Sequence, residues 1–219
     1  MKLRFSLLII ALVFCSRAFA QTGFPFDNEI REFKHQDSIR FPPKDGILFI
    51  GSSSIRLWSD LEQHFPGKPI IKRGVGGCEL WQIVDYYTPY ILFPYHPRKI
   101  FIYAGENDIA AGKSGEFVFD EFKKLFMMIR KQLPNAQVYF LSAKMSPSRE
   151  KGFKEIAVAN NLVEKYLAGR PNSKFIDVNT VILKTRTSMP DSSLFKADYL
   201  HLNSKGYDRW QKVLEPYVN

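Results

Sequence analysis

Five short, largely continuous apolar runs constrain this chain more than any other feature. They occupy residues 47–51, 70–75, 99–104, 137–142 and 174–178. A strand with one wet face alternates apolar and polar side chains, whereas a strand covered on both faces does not. Segments of helical length and period fall between the runs, at 54–64, 79–87, 116–132 and 153–167, and another closes the chain at 204–217. A further helix is predicted at 27–40, ended by Pro42 and Pro43. This alternation predicts an α/β fold: a three-layer α/β/α sandwich around a five-stranded parallel sheet. Such sheets bind ligands just beyond the carboxyl ends of their strands, so those ends are where chemistry is sought.

The first twenty residues read as a signal peptide rather than as fold. Lys2 and Arg4 precede an apolar stretch at residues 5–14, and Ala18-Phe19-Ala20 supplies a small-x-small cleavage pattern. The apolar stretch is short for a retained membrane anchor. Cys15 follows the bulky Phe14, which disfavours lipoprotein acylation. Export to the periplasm or the extracellular space is therefore expected, with residues 21–219 forming one domain and residues 21–45 a helical extension to it. Loss of Lys2, Arg4 and Arg17 would lower the formal net charge from +9 to +6. The basic residues are scattered, so no nucleic-acid stripe is evident. Cys78 would be the only cysteine left, which excludes an internal disulfide and leaves stability to packing.

Several polar residues stand where the predicted strands end. Ser52-Ser53-Ser54 follows the first strand, and a hydroxyl at such a turn suits either a nucleophile over helix amides or a plain helix cap. Gly77, after the second strand, offers a bare backbone N–H or an ordinary turn. Asn107, after the third, offers an amide donor for an oxyanion or a structural turn. Near the C-terminus, Asp198 precedes His201 by three residues, a spacing that lets the carboxylate hold one ring nitrogen while the other faces a nucleophile. A surface pair is the bland reading. Metal ligation is disfavoured because His35, His64 and His96 lie in unrelated segments.

Taken together, these blocks resemble the SGNH (GDSL-type) hydrolase superfamily, whose sheet is flavodoxin-like. Gly51-Ser52-Ser53-Ser54 matches its first block, Gly77 its second, Gly105-x-Asn107-Asp108 its third and Asp198-x-x-His201 its last. The run from Leu194-Phe195 through Leu200-His201-Leu202-Asn203 to Gly206-Tyr207 resembles the platelet-activating-factor acetylhydrolase-like branch. The resemblance implies a carboxylic ester hydrolase acting by acyl transfer, with Ser53 as nucleophile, His201 as base and Asp198 as its orienting carboxylate. It implies an oxyanion hole of the Ser53 and Gly77 N–H groups and the Asn107 amide, and no metal or organic cofactor. Ser52 departs from the pattern, which usually has aspartate there.

The substrate expectation is a short acyl group, acetyl foremost, on a small or carbohydrate-borne alcohol. Little chain is left over for a lid or a deep acyl tunnel. The stretch 179–197 is long enough to roof the site, and its Lys184, Arg186 and Lys196, with Lys144 and Arg149 after the fourth strand, suggest a wet rim. A lysophospholipase or thioesterase would need a long apolar groove instead, and a catalytically idle binding module would not need the full residue set. Trp58, Trp81 and Trp210 fall in helix patterns and at least two of them are expected in the core, Tyr86, Tyr87, Tyr90 and Tyr95 are expected to pack the return to the third strand, and Cys78 is expected as a space-filling side chain.

Overall fold

A computed structural model describes residues 25–185 and 187–219. The expected signal peptide and Arg186 lie outside the described residues. The five strands are β1 (Ile47–Gly51), β2 (Ile70–Gly74), β3 (Lys99–Tyr103), β4 (Gln137–Leu141) and β5 (Ser173–Ile176). They pair in parallel throughout, in the order β2-β1-β3-β4-β5. This is the doubly wound arrangement that the alternation of elements predicts. The register sets Gly51 opposite both Gly74 and Tyr103, so β1, β2 and β3 end level with one another.

Each strand presents successive side chains to opposite faces, and both faces are buried in β1 and β3, whereas the edge strand β5 leaves Lys174 exposed. On one face Leu48, Ile50, Ile100, Ile102, Val138 and Phe140 pack beneath α1 (Asp27–Ile39) and the helices described below. On the other, Ile47, Phe49, Phe101, Tyr139 and Leu141 meet Trp58, Trp210 and Leu214. Phe49, Phe101 and Tyr139 form a stacked ladder across three strands, with ring centroids 4.5 and 4.7 Å apart. Two of the three tryptophans, Trp58 and Trp210, are buried in the core while Trp81 is half-buried, and Tyr87 and Tyr95 are buried.

The connections depart from the expected helices in two places. The segment 54–64 is not one helix but two single turns, α2 (Ser53–Arg56) and α3 (Leu61–His64). The interruption falls at Ser59 and Asp60, two residues with low helix preference. Trp58 then turns inward and its indole N–H donates to His64 at 2.8 Å. The segment 79–87 begins as α4 (Leu80–Gln82), widens into a π-helical turn at Ile83–Tyr87 and continues as α5 (Thr88–Ile91). Pro89 lacks an N–H and crowds the turn before it, which favours the wider spacing there.

A short helix not expected from the sequence, α6 (Glu106–Ala110), follows β3, and the remaining helices follow the expected pattern: α7 (Gly115–Gln132), α8 (Phe153–Leu167) and α9 (Ser204–Val218). Ser114 caps α7 by accepting from Phe117 N–H at 3.2 Å, and Asn203 caps α9 by accepting from Gly206 N–H at 3.1 Å. At the amino edge of the sheet, the Lys99 ammonium donates to the carbonyls of Tyr217 and Asn219, both at 2.7 Å. β5 stops at Ile176, earlier than expected, because the Asp177 carboxylate takes the N–H of Asn179 at 2.8 Å and bends the chain away. Among the described residues no helix is long and apolar enough to cross a membrane.

Candidate active site

The carboxyl edge of the sheet gathers the polar strand-end residues. β1 closes on Gly51, whose φ of 151° and contact with β3 leave no room for a side chain: a Cβ there would sit 1.9 Å from the Tyr103 carbonyl. The next residue, Ser52, is buried and donates its N–H to that carbonyl at 2.9 Å. Its own carbonyl receives the Ile55 N–H at 3.0 Å, so the main chain braces the turn. Ser53 therefore opens α2 at the top of the sheet.

Asp198 and His201 come from the loop before α9 and meet Ser53 there. Ser53 Oγ lies 2.9 Å from His201 Nε2, and His201 Nδ1 lies 2.7 Å from Asp198 Oδ2. The other Asp198 oxygen accepts the N–H groups of Leu200 at 2.9 Å and His201 at 3.0 Å. Burial pushes the Asp198 carboxyl up, but those N–H groups and the His201 ring outweigh it and hold the group well below the usual carboxylate range. A negative Asp198 fixes Nδ1 as the protonated nitrogen, which leaves Nε2 free to take a proton from the Ser53 hydroxyl. Between the two residues Tyr199 adopts a left-handed φ of 53°. That strain is held in place because the Tyr199 carbonyl accepts both the N–H and the hydroxyl of Ser148, at 3.1 and 3.0 Å.

Three donors stand just after the level ends of the adjacent strands β1, β2 and β3. The N–H groups of Ser53 and Gly77 make no hydrogen bond among the described residues. Gly77 follows β2 in a left-handed turn, with φ of 78°. Asn107, in the first turn of α6, gives one amide hydrogen to the Cys78 carbonyl at 2.8 Å and keeps the second. Such an arrangement suits a developing oxyanion, because the donors are oriented in advance. Cys78 is buried, with its sulfur 3.5 Å from the Gly51 carbonyl, and burial raises its thiol pKa, so it fills space behind the loop.

The neighbouring residues Glu106 and Asp108 were not expected to take part. Glu106 is buried and accepts from Tyr103, from Lys144 Nζ at 2.6 Å and from Ser146 Oγ at 2.9 Å. Burial pushes its carboxyl up, but the Lys144 and Arg149 cations outweigh that and hold it below its ordinary value. Lys144 is thus no rim residue, as its charge had suggested. It is only 1% exposed, pulled inward as the counter-ion of Glu106. Asp108 takes the Leu80 N–H at 2.8 Å, while its second oxygen is buried without a partner among the described residues. Burial, opposed mainly by that N–H, raises its pKa to about 6. An acidic residue on each side of Asn107 was the available signal.

The stretch 179–197 also differs from a roof. Ile182, Leu194 and Phe195 join the core beside α9, and Lys196 N–H donates to the His201 carbonyl at 2.7 Å. It supports the histidine loop from beneath. No group of three or more His, Cys, Asp or Glu with metal-holding geometry occurs among the described residues.

The sequence model of the GDSL-like lipase/acylhydrolase family matches residues 51–209, from the Ser53 turn into the last helix. The chain belongs to that family. As a GDSL-like acylhydrolase it is a carboxylic ester hydrolase. Solved structures of the same fold span nearly all of it. One is a Streptococcus pneumonia protein named for platelet activating factor, with a TM-score of 0.78, 20% identity and coverage of 89% of this chain and 92% of that one. Another is a GDSL-like lipase from Bacteroides thetaiotaomicron, with a TM-score of 0.74, 16% identity and coverage of 86% and 96%. A third is an acetylxylan esterase from Geobacillus stearothermophilus, with a TM-score of 0.61, 14% identity and coverage of 80% and 94%. No curated protein matches the sequence.

Proposed function

We propose that the chain is an exported serine esterase that removes short acyl groups, acetyl foremost, from hydrophilic and carbohydrate-borne alcohols. The observation that carries this reading is the unbroken line of hydrogen bonds from Ser53 through His201 to Asp198, at 2.9 and 2.7 Å. His201 takes the Ser53 proton as the oxygen attacks the ester carbonyl, and the oxyanion is received by the Ser53 and Gly77 N–H groups and the Asn107 amide. His201 then protonates the departing alcohol, and a water molecule releases the acyl group by the same steps in reverse order. Asp198 keeps the ring in the productive tautomer throughout.

Three features support the choice of substrate. The histidine side of the site carries the exposed Lys196, whose N–H donates to the His201 carbonyl, and the half-buried Arg149, which donates to the Glu106 carbonyl at 3.1 Å, a polar setting for a hydroxyl-rich leaving group. The acetylxylan esterase noted above shares the fold and acts on an acetylated polysaccharide by its name. Residues 1–20 carry the pattern of an export signal, which would bring the enzyme to polysaccharide outside the cytoplasm. The test is a series of p-nitrophenyl esters from acetate to palmitate, run beside acetylated oligosaccharides. kcat/KM should be highest on acetate and fall steeply by octanoate. Ser53→Ala should lose turnover of every ester while keeping its melting temperature. A preference for octanoate or longer would overturn the substrate assignment in favour of a lysophospholipase or thioesterase. Residual turnover by Ser53→Ala at the wild-type rate would overturn the nucleophile.

A further inference from the structure

The segment before the sheet reaches the site. Phe26 immediately precedes α1 and lies against the turn after β2: its ring carbons are 3.7 and 3.8 Å from where a Gly77 Cβ would stand. The Gly77 N–H is one covalent bond from that α-carbon. Phe26 adopts a left-handed conformation, with φ of 60° and ψ of 22°, which a bulky L-residue rarely accepts. Its ring is 37% exposed, an unusual setting for a large apolar side chain. Contacts on both sides hold it there. The Tyr87 hydroxyl donates to the Pro25 carbonyl at 2.5 Å, and the Gly76 N–H donates to the Glu29 carboxylate at 2.9 Å. Strain retained and clamped in this way is characteristic of a residue placed for a task rather than for stability.

The layout of the sheet says which task. Ser53 follows β1, Gly77 follows β2 on one side, and the histidine loop is tied to the segment after β4 on the other, through the Ser148 bonds to Tyr199. An ester on Ser53 has its carbonyl oxygen in the donor cluster. Its leaving oxygen must face His201, which protonates it. The acyl chain is then directed away from His201, toward the β2 side, where Phe26 stands beside Gly77.

From this we infer that Phe26 is the wall of the acyl subsite and sets the length of acyl chain the enzyme accepts. The inference rests on the site reading above, in which Ser53 is acylated and His201 protonates the leaving group. An aromatic ring at the oxyanion turn leaves space for a methyl or ethyl substituent and meets longer chains end-on. The N-terminal extension is therefore part of the active site, as a specificity-determining element outside the sheet.

The test compares kcat/KM on p-nitrophenyl octanoate and acetate as a ratio, in the wild type and in Phe26→Ala, Phe26→Leu and Phe26→Trp. The ratio should rise about tenfold or more in Phe26→Ala, by less in Phe26→Leu, and fall in Phe26→Trp, since one or a few methylenes in a pocket discriminate by about that factor. Phe26→Leu keeps an apolar anchor, so it reads the wall even if alanine loosens the segment. A ratio within about twofold of wild type in all three variants would overturn the proposal. Ser53→Ala, run in parallel, separates the two readings. Turnover surviving there would sink the nucleophile assignment, and a flat Phe26 ratio with Ser53→Ala inactive would sink only the wall.

Discussion

Asn107 does two things with one amide group. One hydrogen fixes the Cys78 carbonyl and so the loop that carries Gly77, and in the mechanism proposed above the other serves the oxyanion. Asn107→Ala should therefore lower kcat by about 10²–10³ with little change in KM, because the lost donor serves the transition state and not the ground state. Steady-state kinetics on p-nitrophenyl acetate checks this. A loss confined to KM would place Asn107 in substrate binding instead. Its neighbour Asp108 grips the same loop through the Leu80 N–H, with one oxygen buried and unpaired among the described residues.

The turn from β3 into α6 is held by charge as well as by packing. Glu106 and Lys144 are both buried, and together they join α6 to the segment after β4, which in turn holds Tyr199 and the histidine loop. Glu106→Gln should cost about 3–5 kcal/mol of stability, since it leaves the Lys144 ammonium buried without a counter-ion. Adding Lys144→Met should restore a good part of that loss. Urea denaturation of the three variants measures it, and equal stability of Glu106→Gln and wild type would show that the pair is not coupled. None of this was legible in advance. The strands were readable because burial on both faces leaves a continuous apolar signature, and Ser53, Gly77, Asn107, Asp198 and His201 because each stands at a strand end or in a short recurrent block. A buried ion pair has no such signature: Lys144 looks like any surface lysine, and only the fold brings it to Glu106. The two broken helices were missed for a related reason. Their apolar spacing is helical, but Ser59-Asp60 and Pro89 decide the backbone locally.

Acidity tests the assembled protein as a unit. The Asp108 pKa is raised from 3.8 to about 6 in the folded chain, chiefly by burial. A raised carboxyl favours the protonated form, so its contribution to stability is complete below about pH 4 and is lost as pH rises through about 6. Asp108→Asn keeps an acceptor for the Leu80 N–H and never ionises. Its stability relative to wild type should increase by on the order of 2 kcal/mol between pH 4 and pH 8, read from denaturation midpoints. A difference that is constant with pH would show that Asp108 does not titrate in that window.

The two ends of the described chain lie at opposite poles of the sheet. Lys99 ties the carbonyls of Tyr217 and Asn219 to the edge where β3 begins, whereas Phe26 sits at the edge where the reacting groups gather. For anyone coupling this enzyme to a resin or an electrode, that polarity decides the point of attachment. A linker at Asn219 would turn the mouth of the site outward, toward polymer too large to diffuse into a crowded surface layer. A linker joined just before Pro25 would press that mouth against its support.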